Sequence, residues 1–181
     1  MINRLVVPLS FHWTFWYNEL CVKDVDWVMN IQKLFEVTTA AEFLEAYSKM
    51  KLPSTLPQGA SYYFFKKGIR PIWEEEPNKG AGAWEMIIDI RPNHDLNLVW
   101  SDLLFSVISD GLNELLMYLC GITCNVRRGF LKIAIWTVKI TPKNHGYIIQ
   151  IGKILQNIQK VYGIKSIKYK IHERSSYNGI N

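Results

Sequence analysis

The amino-acid sequence predicts an α+β fold, in which a mainly antiparallel sheet carries three helices on one face. Segments with the period-two alternation of strands are interrupted by single helical segments, an order typical of a mixed sheet built from hairpins. Each helical segment is apolar along one side only, so we expect all three helices to cover the same face and to leave the other face open. At 181 residues the chain is long enough for one domain with a substantial core. We therefore expect a single domain over residues 1–181, with a short polar tail at 173–181.

The predicted sheet has seven to eight strands, and seven segments have clear strand character. They are Leu9–Leu20, Ile31–Val37, Ala60–Phe65, Trp84–Ile90, Gly121–Arg127, Phe130–Val138 and Ser166–His172. These segments are rich in aromatic and β-branched residues and alternate in polarity, as strands with one buried face do. Arg128 and Gly129 lie between the fifth and sixth segments and predict a hairpin turn.

Three further segments have the periodicity of helices. The first begins at a capping box, Thr39–Glu42, and continues with an apolar stripe over Phe43–Met50. The second is expected over Asp95–Ser109, with its first residue as the N-cap, and residues 111–119 either extend it or form a separate turn. The third covers Asn144–Tyr162. We assign the apolar stripes of these helices to packing.

Charge is distributed unevenly along the chain. The formal net charge is +5, but residues 1–120 carry 10 Lys and Arg against 15 Asp and Glu, whereas residues 121–181 carry 11 against one, Glu173. A basic C-terminal third beside a mildly acidic remainder favours a polyanionic partner that is contacted on one side. Ordinary lysines on solvated faces would give the same counts, and charge alone does not separate the two interpretations.

Cysteine usage and the N-terminus predict an intracellular protein. Cys21, Cys120 and Cys124 are odd in number and fit no metal-ligand spacing or redox pair, so we expect reduced thiols in the core. No long apolar stretch follows Arg4, so we expect no signal peptide, and no apolar run approaches a membrane span. We expect a soluble protein of the cytoplasm, with the nucleus as an additional compartment and no membrane partner.

A tryptophan directly followed by a carboxylate, Trp73-Glu74, is the most informative local motif. It stands in a loop entered through Gly68 and Pro71, which end the preceding aromatic strand and stiffen the turn. A rigid π face and a double hydrogen-bond acceptor are thereby held side by side, as recognition of a purine base requires. Trp27 is a second tryptophan in polar company, and it is either a lid over the core or an exposed platform for a ligand.

The hairpin formed by the fifth and sixth predicted strands sorts its side chains by period two. Its apolar side chains share one parity and must meet the helices, so Arg127, Lys132 and Trp136 are expected on the open face. An arginine, a lysine and an indole on one surface suit a phosphate chain attached to a flat ring. The alternative is an exposed polar face that Trp136 partly plugs, and the pattern leaves both open.

Two segments, Gly68–Glu74 (GIRPIWE) and Lys132–Thr137 (KIAIWT), carry a specific resemblance to a known family. Together they resemble the eukaryotic translation initiation factor 4E family, the messenger-RNA cap-binding proteins. The remaining matches keep the family's order along nearly the whole chain. They are Pro8-Leu9, Trp13, Trp27, Phe43, Trp84, Trp100, Cys120-Gly121 and Asn125–Arg127. The resemblance implies a strongly curved sheet with the three helices on its convex face and the ligand site on its concave face.

The resemblance also implies a ligand and a role for each site residue. The ligand is the 7-methylguanosine cap, joined through a triphosphate to messenger RNA. The base-binding residues are Trp27, Trp73, Glu74 and Trp136, and the phosphate-binding residues are Arg127, Lys132 and Arg128. The first two tryptophans would stack on the two faces of the cationic base, Glu74 would accept hydrogen bonds from its edge, and Trp136 would lie against the N7 methyl group. Arg128 belongs to this set because a glycine, Gly129, stands where the family usually has a second basic residue.

A protein partner on the convex face is implied as well, a helical peptide of a scaffold subunit or of a 4E-binding protein. The residues that would meet it are Pro8, Leu9, Phe43, Leu44, Trp100 and Asp102. Leu44 stands where the family has a tryptophan, and Val7 stands where it has a histidine. Two roles remain open, an initiation factor that recruits the scaffold and a cap-binding repressor or cap-storage protein that does not.

A further interpretation is an enzyme that acts on nucleotides through Glu74 or Glu75 with His94 or His145. No metal-ligand spacing and no glycine-rich phosphate loop in the sequence supports it. We expect no catalysis, no metal site and no cofactor, and we expect a monomer.

Overall fold

The computed structural model describes residues 7–19, 27–90, 95–109, 111–162, 164 and 166–172. Within them the chain forms one seven-stranded sheet in which every pair of neighbouring strands is antiparallel. The strands are β1 (Pro8–Asn18), β2 (Gln32–Thr39), β3 (Ser61–Lys66), β4 (Gly82–Asp89), β5 (Leu119–Arg127), β6 (Phe130–Thr137) and β7 (Ser166–Ile171). The α-helices are α1 (Ala40–Lys49), α2 (Leu96–Ile108) and α3 (His145–Tyr162). The strand order across the sheet is β2-β1-β3-β5-β6-β4-β7.

The first two helices begin where their capping residues predict. The Thr39 side chain accepts from the Glu42 backbone N–H, and the Glu42 carboxylate accepts from the Thr39 N–H, so the predicted capping box is formed. The Asp95 carboxylate accepts from the backbone N–H groups of Asn97 and Leu98 and caps α2. A separate 3-10 helix, Asn113–Tyr118, follows α2, so the segment after α2 forms its own turn and does not extend the helix.

The three helices and one face of the sheet share a single apolar core. The largest fully buried side chains include Trp13, Phe15, Phe43, Phe64 and Trp100. α3 approaches β4 closely at Gly152, where an added Cβ would lie 2.5 Å from the Trp84 ring. The Trp84 indole N–H donates to the Ile148 carbonyl oxygen at 2.8 Å and fixes this approach. The predicted α+β class is confirmed, because the sheet is curved and antiparallel and carries the helices on its convex face.

A smaller apolar cluster lies on the concave face, where Trp136 packs against the buried side chains of Tyr63, Phe65 and Cys120. Gly121 makes room for this cluster, because a Cβ at that position would lie 2.3 Å from the Phe65 ring. The concave face therefore has an aromatic base of its own, separate from the core under the helices.

Cys120 and Cys124 are buried free thiols, and Cys21 lies outside the described residues. Burial raises the pKa of the Cys120 thiol to about 11 and also raises the pKa of Cys124, so both thiols stay protonated at physiological pH. None of the helices among the described residues is long and apolar enough to cross a membrane.

Candidate functional site

A cavity of about 390 Å³ opens on the concave face of the sheet, and we call it the concave cavity. Its walls come mainly from strands β3 to β6 and from the loop between β3 and β4. The lining side chains with a charge or a large ring include Trp73, Trp136, Arg127, Lys132, Glu85 and His172. Its volume is within the range of small-molecule sites. Arg127, Lys132 and Trp136 all line it, as the period-two pattern of the hairpin predicts.

The loop between β3 and β4 presents Trp73 to this cavity. Gly68 turns the chain at the end of β3 with a φ of +87°, a conformation that favours glycine. Behind the tryptophan, the buried Asn78 side chain donates to the carbonyl oxygens of Arg70 and Ile72 at 2.8 and 2.9 Å. These bonds close the loop on itself and hold the backbone on which Trp73 stands.

Glu74 follows Trp73 in the chain and lines a neighbouring cavity of about 340 Å³. Trp73 and His172 line both spaces, so the Trp73 indole stands at their border. Lys79 and Gly80 also line the neighbouring cavity. Because Glu74 is exposed, its carboxylate is accessible to a ligand that lies against Trp73.

Trp136 lies at the base of the concave cavity between two other rings. It meets Phe65 edge-on, with ring centroids 5.4 Å apart and an interplanar angle of 76°. The centroid of the His172 ring lies 4.1 Å from it, with the ring planes tilted by 44°. Contacts on two sides fix the orientation of the indole, and part of its surface remains open to the cavity.

The His172 imidazole lines the cavity, but the sequence predicted His172 only as the last residue of a strand and gave it no role in the site. Its Nε2 atom is buried and has no hydrogen-bond partner among the described residues. Burial lowers the pKa of His172 to about 4, with the Glu85 carboxylate acting in the opposite direction and the Lys132 ammonium in the same direction. The ring is therefore neutral at physiological pH. The His172 backbone N–H donates to the Ala81 carbonyl oxygen at 2.8 Å and fixes the chain after β7 against the start of β4.

The basic part of the cavity is formed by Arg127 on β5 and Lys132 on β6. Nearby, the Asn125 side chain accepts from the Ser61 hydroxyl at 3.0 Å and donates to the Thr123 hydroxyl at 3.1 Å, which links β3 to β5. Arg127 donates to a backbone carbonyl oxygen at 3.0 Å. A guanidinium has five N–H donors, so this side chain keeps donors for a ligand.

Glu85 is a carboxylate inside the concave cavity that sequence reasoning missed. Its side chain is 11% exposed and pairs with Lys132 at 2.9 Å and with Lys170 on β7 at 3.2 Å. Burial alone would raise the pKa of Glu85, but the two ammonium groups outweigh burial and lower it. Alternation along β4 places Glu85 on the opposite face from Trp84 and Met86, and this pattern was the sequence signal that could have identified it. The pattern does not show which strands lie beside β4, because that depends on the strand order of the whole sheet.

Two predicted site residues are not among the lining side chains that the structure describes. Trp27 begins the 3-10 helix Trp27–Asn30, but its side chain lies outside what the structure describes, so its stacking role stays a prediction. Arg128 is exposed in the hairpin turn and is not among the residues that line the concave cavity. Its contact with phosphate also stays a prediction.

Comparison with known proteins shows the family of this chain. The family model described as eukaryotic initiation factor 4E matches residues 8–180. The chain belongs to the eukaryotic initiation factor 4E family. Among its curated relatives, eukaryotic translation initiation factor 4E type 1B of Mus musculus is 32% identical over 168 residues, which covers 91% of this chain and 67% of the mouse protein.

Solved structures of the initiation factor 4E family share the fold of this chain. Ascaris suum eIF4E-3 in complex with the m2,2,7G cap gives a TM-score of 0.82 at 29% identity, covering 95% of this chain and 94% of that one. C. elegans eIF4E-3 in complex with the 4E-binding protein Mextli gives a TM-score of 0.83 at 26% identity, covering 97% and 98% of the two chains. The resemblance stated from the sequence is therefore confirmed.

In this member of the initiation factor 4E family, the residues predicted to meet a protein partner differ in exposure. Phe43 and Trp100 are 0% and 1% exposed, and Leu9 is also buried, so these three side chains support the convex surface from below. Leu44 is 52% exposed, and Pro8 is exposed at the start of β1. Of these five residues, only Leu44 and Pro8 have side chains that are exposed for contact with a partner.

Asp102, on α2, is the sixth residue of that set in this family member. It is exposed, but its carboxylate accepts a hydrogen bond from the Tyr162 hydroxyl at the end of α3. This hydrogen bond, together with burial and the Asp102 charge, raises the pKa of Tyr162 to about 12. A partner that uses Asp102 must therefore share this carboxylate with Tyr162.

Proposed function

We propose that this chain is a single cap-binding domain that binds the 7-methylguanosine cap of messenger RNA and acts in translation initiation in the cytoplasm. The observation that carries the proposal is the concave cavity, which Trp73 and Trp136 line together with Arg127 and Lys132. An aromatic surface beside a cationic one suits a nucleotide, because the base stacks and the phosphates pair with the cations. The relative from Ascaris suum was solved with a cap, which supports the same class of ligand here.

The base is proposed to lie against the Trp73 indole at the border of the two cavities. Methylation at N7 gives guanine a delocalised positive charge, so stacking of about 1–3 kcal/mol is joined by a cation–π attraction of about 0.5–2 kcal/mol. Trp27 would supply the second stacking face, and Trp136 would contact the N7 methyl group. These terms favour the methylated base over guanine, which lacks the charge.

Glu74 is proposed to read the edge of the stacked base. Its carboxylate would accept hydrogen bonds from the N1–H and the N2 amino group of guanine, and a backbone N–H of Trp73 or Glu74 would reach O6. A bidentate contact of this kind contributes about 1–3 kcal/mol of discrimination against the wrong base. Adenine has an acceptor at N1 and no amino group at C2, so it would leave the carboxylate unpaired.

The phosphate chain is proposed to run toward Arg127 and Lys132, with Arg128 within reach from the hairpin turn. Charge-assisted hydrogen bonds to phosphate oxygens are about twice as strong as neutral ones, and the arginine can donate two in parallel. No bond is made or broken in this proposal, since the product is a complex.

A tryptophan-fluorescence titration with 7-methyl-GTP and with GTP tests the proposal. We expect quenching by the methylated nucleotide, a response to GTP that is at least about tenfold weaker, and loss of binding in Glu74→Ala. Glu76→Ala, which removes an exposed carboxylate from the same loop, is the matched control and should bind as the wild type does. Equal affinity for the two nucleotides would remove the stacking argument.

A second role, a cap-binding repressor or cap-storage protein, is favoured by the convex face. Leu44 offers a smaller side chain than the tryptophan usual in the family, and Asp102 is engaged by Tyr162. The relative from C. elegans was solved with a 4E-binding protein, which supports a protein partner for this chain in either role. Binding of a scaffold-subunit peptide to the cap-loaded chain supports the initiation role. Cap binding without capture of that peptide supports the second.

A further inference from the structure

The carboxylate of Glu85 lies in the wall of the concave cavity where the phosphates are proposed to bind. A role for Glu85 toward these phosphates rests on the proposed function, because it requires a phosphate chain in this cavity. Glu85 has a largely buried side chain, 11% exposed, and it shares the ammonium group of Lys132. The proposed recognition of the cap does not itself use this carboxylate.

The strand register explains why this carboxylate meets two lysines. Glu85 is directly paired with Ala134 on β6 and with Lys168 on β7. Lys132 stands two residues before Ala134 on β6, and Lys170 stands two residues after Lys168 on β7. Both lysines are on the same face as Glu85 and are its diagonal neighbours. The carboxylate thus bridges two strands across β4, with Lys132 on the cavity side.

A phosphate that approaches Lys132 also approaches this negative charge. The ammonium group can donate to a carboxylate and to a phosphate together, but the two anions then lie on the order of 5 Å apart and repel each other. Low exposure of Glu85 reduces screening by water and salt, so the repulsion persists at physiological ionic strength. A cationic base experiences the opposite force and is attracted.

We propose that Glu85 determines ligand preference in this site by reducing the affinity gained from each added phosphate. The site then selects its ligand through the methylated, cationic base and gains little from a bare triphosphate. Unmethylated nucleoside triphosphates, which share the phosphates but lack the cationic ring, are disfavoured by this arrangement.

The test compares wild type with Glu85→Gln, which keeps the side-chain shape and removes the charge. Both are titrated with 7-methylguanosine, 7-methyl-GMP, 7-methyl-GTP and GTP. We expect the variant to bind 7-methyl-GTP and GTP at least about fivefold more tightly, and 7-methylguanosine within about twofold of wild type. Raising the salt concentration should weaken 7-methyl-GTP binding more steeply in the variant, because more of its affinity comes from unshared cations.

Glu36→Gln is the matched control. Glu36, on β2, also bridges two lysines, Lys33 at 2.6 Å and Lys67 at 2.5 Å, but it does not line the concave cavity. Glu36→Gln changes the net charge by the same amount as Glu85→Gln. Because Glu36 does not line the cavity, the affinity of this variant should stay within about twofold of wild type for every ligand.

Lys170→Met provides a second variant, for which the expected change in affinity is opposite to that of Glu85→Gln. It leaves the Glu85 carboxylate to pair with Lys132 alone, so 7-methyl-GTP should bind about threefold more weakly, with 7-methylguanosine unchanged. Circular dichroism checks that each variant is folded. If Glu85→Gln does not fold, Lys170→Met is the variant that tests the proposed role of Glu85.

The outcomes separate this inference from the proposed function. Unchanged or weaker binding of 7-methyl-GTP by folded Glu85→Gln overturns the inference, since Glu85 would then only position Lys132, while the proposed function stands. A lack of weakening in Lys170→Met overturns it as well. If wild type binds none of the 7-methylguanosine ligands, the proposed function fails and the inference fails with it.

Discussion

The concave and convex sides of the sheet use tryptophan for different ends. On the concave side Trp73 and Trp136 are partly exposed and line a cavity with charged neighbours. On the convex side Trp13 and Trp100 are fully buried in the core beneath the helices. A tryptophan thus signals a binding site through incomplete burial and charged company, and residue type alone does not separate the two cases.

Carboxylates show the same contrast. Glu85 is largely buried on the concave side and is held by two ammonium groups, whereas Asp102 is exposed on the convex side and is held by a tyrosine hydroxyl. The concave wall therefore combines buried charges with aromatic rings. The convex side instead consists of an apolar core with polar groups at its surface. If this division is correct, substitutions in the concave wall should change nucleotide affinity, and substitutions on the convex side should leave it nearly unchanged.

The largest expected effect comes from replacing matched tryptophans on the two sides. Trp73→Leu should lower affinity for 7-methyl-GTP by about 2–4 kcal/mol, roughly 30- to 1,000-fold, because stacking and cation–π attraction are lost together. Its thermal stability should change little, since Trp73 is partly exposed. The measurement is a calorimetric titration paired with a thermal melt.

Trp84→Leu is the counterpart on the convex side. It removes the hydrogen bond to Ile148 and the packing against Gly152, so it should cost roughly 1–3 kcal/mol of folding stability and leave the affinity for the nucleotide nearly unchanged. Loss of nucleotide affinity in Trp84→Leu equal to that in Trp73→Leu would show that the two sides are not independent.

A steric test of the concave side is the next largest. Gly121→Ala adds a Cβ that would lie 2.3 Å from the Phe65 ring, so we expect about 1–3 kcal/mol of destabilisation from overpacking. Because Phe65 supports Trp136, nucleotide binding should weaken too. Urea unfolding and a 7-methyl-GTP titration measure the two effects.

Gly146→Ala is the control for that substitution, since an added Cβ there meets nothing within 4 Å. Its position near the start of α3 makes a small stabilisation the expected result, about 0.5–1 kcal/mol. Destabilisation of equal size in both variants would mean that loss of glycine, and not contact with Phe65, causes the effect.

Alternation and capping allowed the sequence to predict most of the fold. The capping box at Thr39, the cap at Asp95 and the sidedness of the hairpin all depend on contacts between residues close in the chain, and all were predicted correctly. Local spacing fixes these features because the backbone period alone decides which side chains share a face.

Site residues that depend on distant neighbours were not predicted. Glu85 enters the cavity because β4 lies beside β6, and His172 enters it because β7 pairs with the far side of β4. Strand order is a non-local property, so no spacing within β4 or β7 encodes it.

A smaller effect is expected on the pH dependence of stability. The native pKa of His172 is lowered to about 4 by burial, whereas the unfolded chain takes up this proton near pH 6.5. His172 therefore does not reduce the free energy of unfolding above about pH 6.5. As the pH falls toward 4 the free energy of unfolding decreases, because the unfolded state binds the proton first. After allowance for partial exposure, this loss should be on the order of 1–2 kcal/mol.

His172→Gln tests this dependence, and His12→Gln, at an exposed position on β1, is the control. Urea unfolding between pH 4 and pH 7 should show a flatter slope for His172→Gln than for wild type or the control. Glu85 loses its own contribution only at more acidic pH, because its native pKa is lowered from the ordinary value. An unchanged slope would mean that His172 does not remain neutral in the native state.

The smallest expected effect concerns the convex surface. Leu44 is exposed on α1 and follows Phe43, which stacks on Tyr47 and meets Phe105 edge-on, so this part of the surface has a rigid aromatic base. Leu44→Trp should tighten binding of a helical peptide from a 4E-binding protein by about threefold, since a larger side chain with an N–H donor is placed on that base. The affinity for 7-methyl-GTP should not change, because the core separates the two faces. A change in both affinities would show that partner binding and nucleotide binding are coupled through the sheet, and the division between its two sides would then describe packing alone.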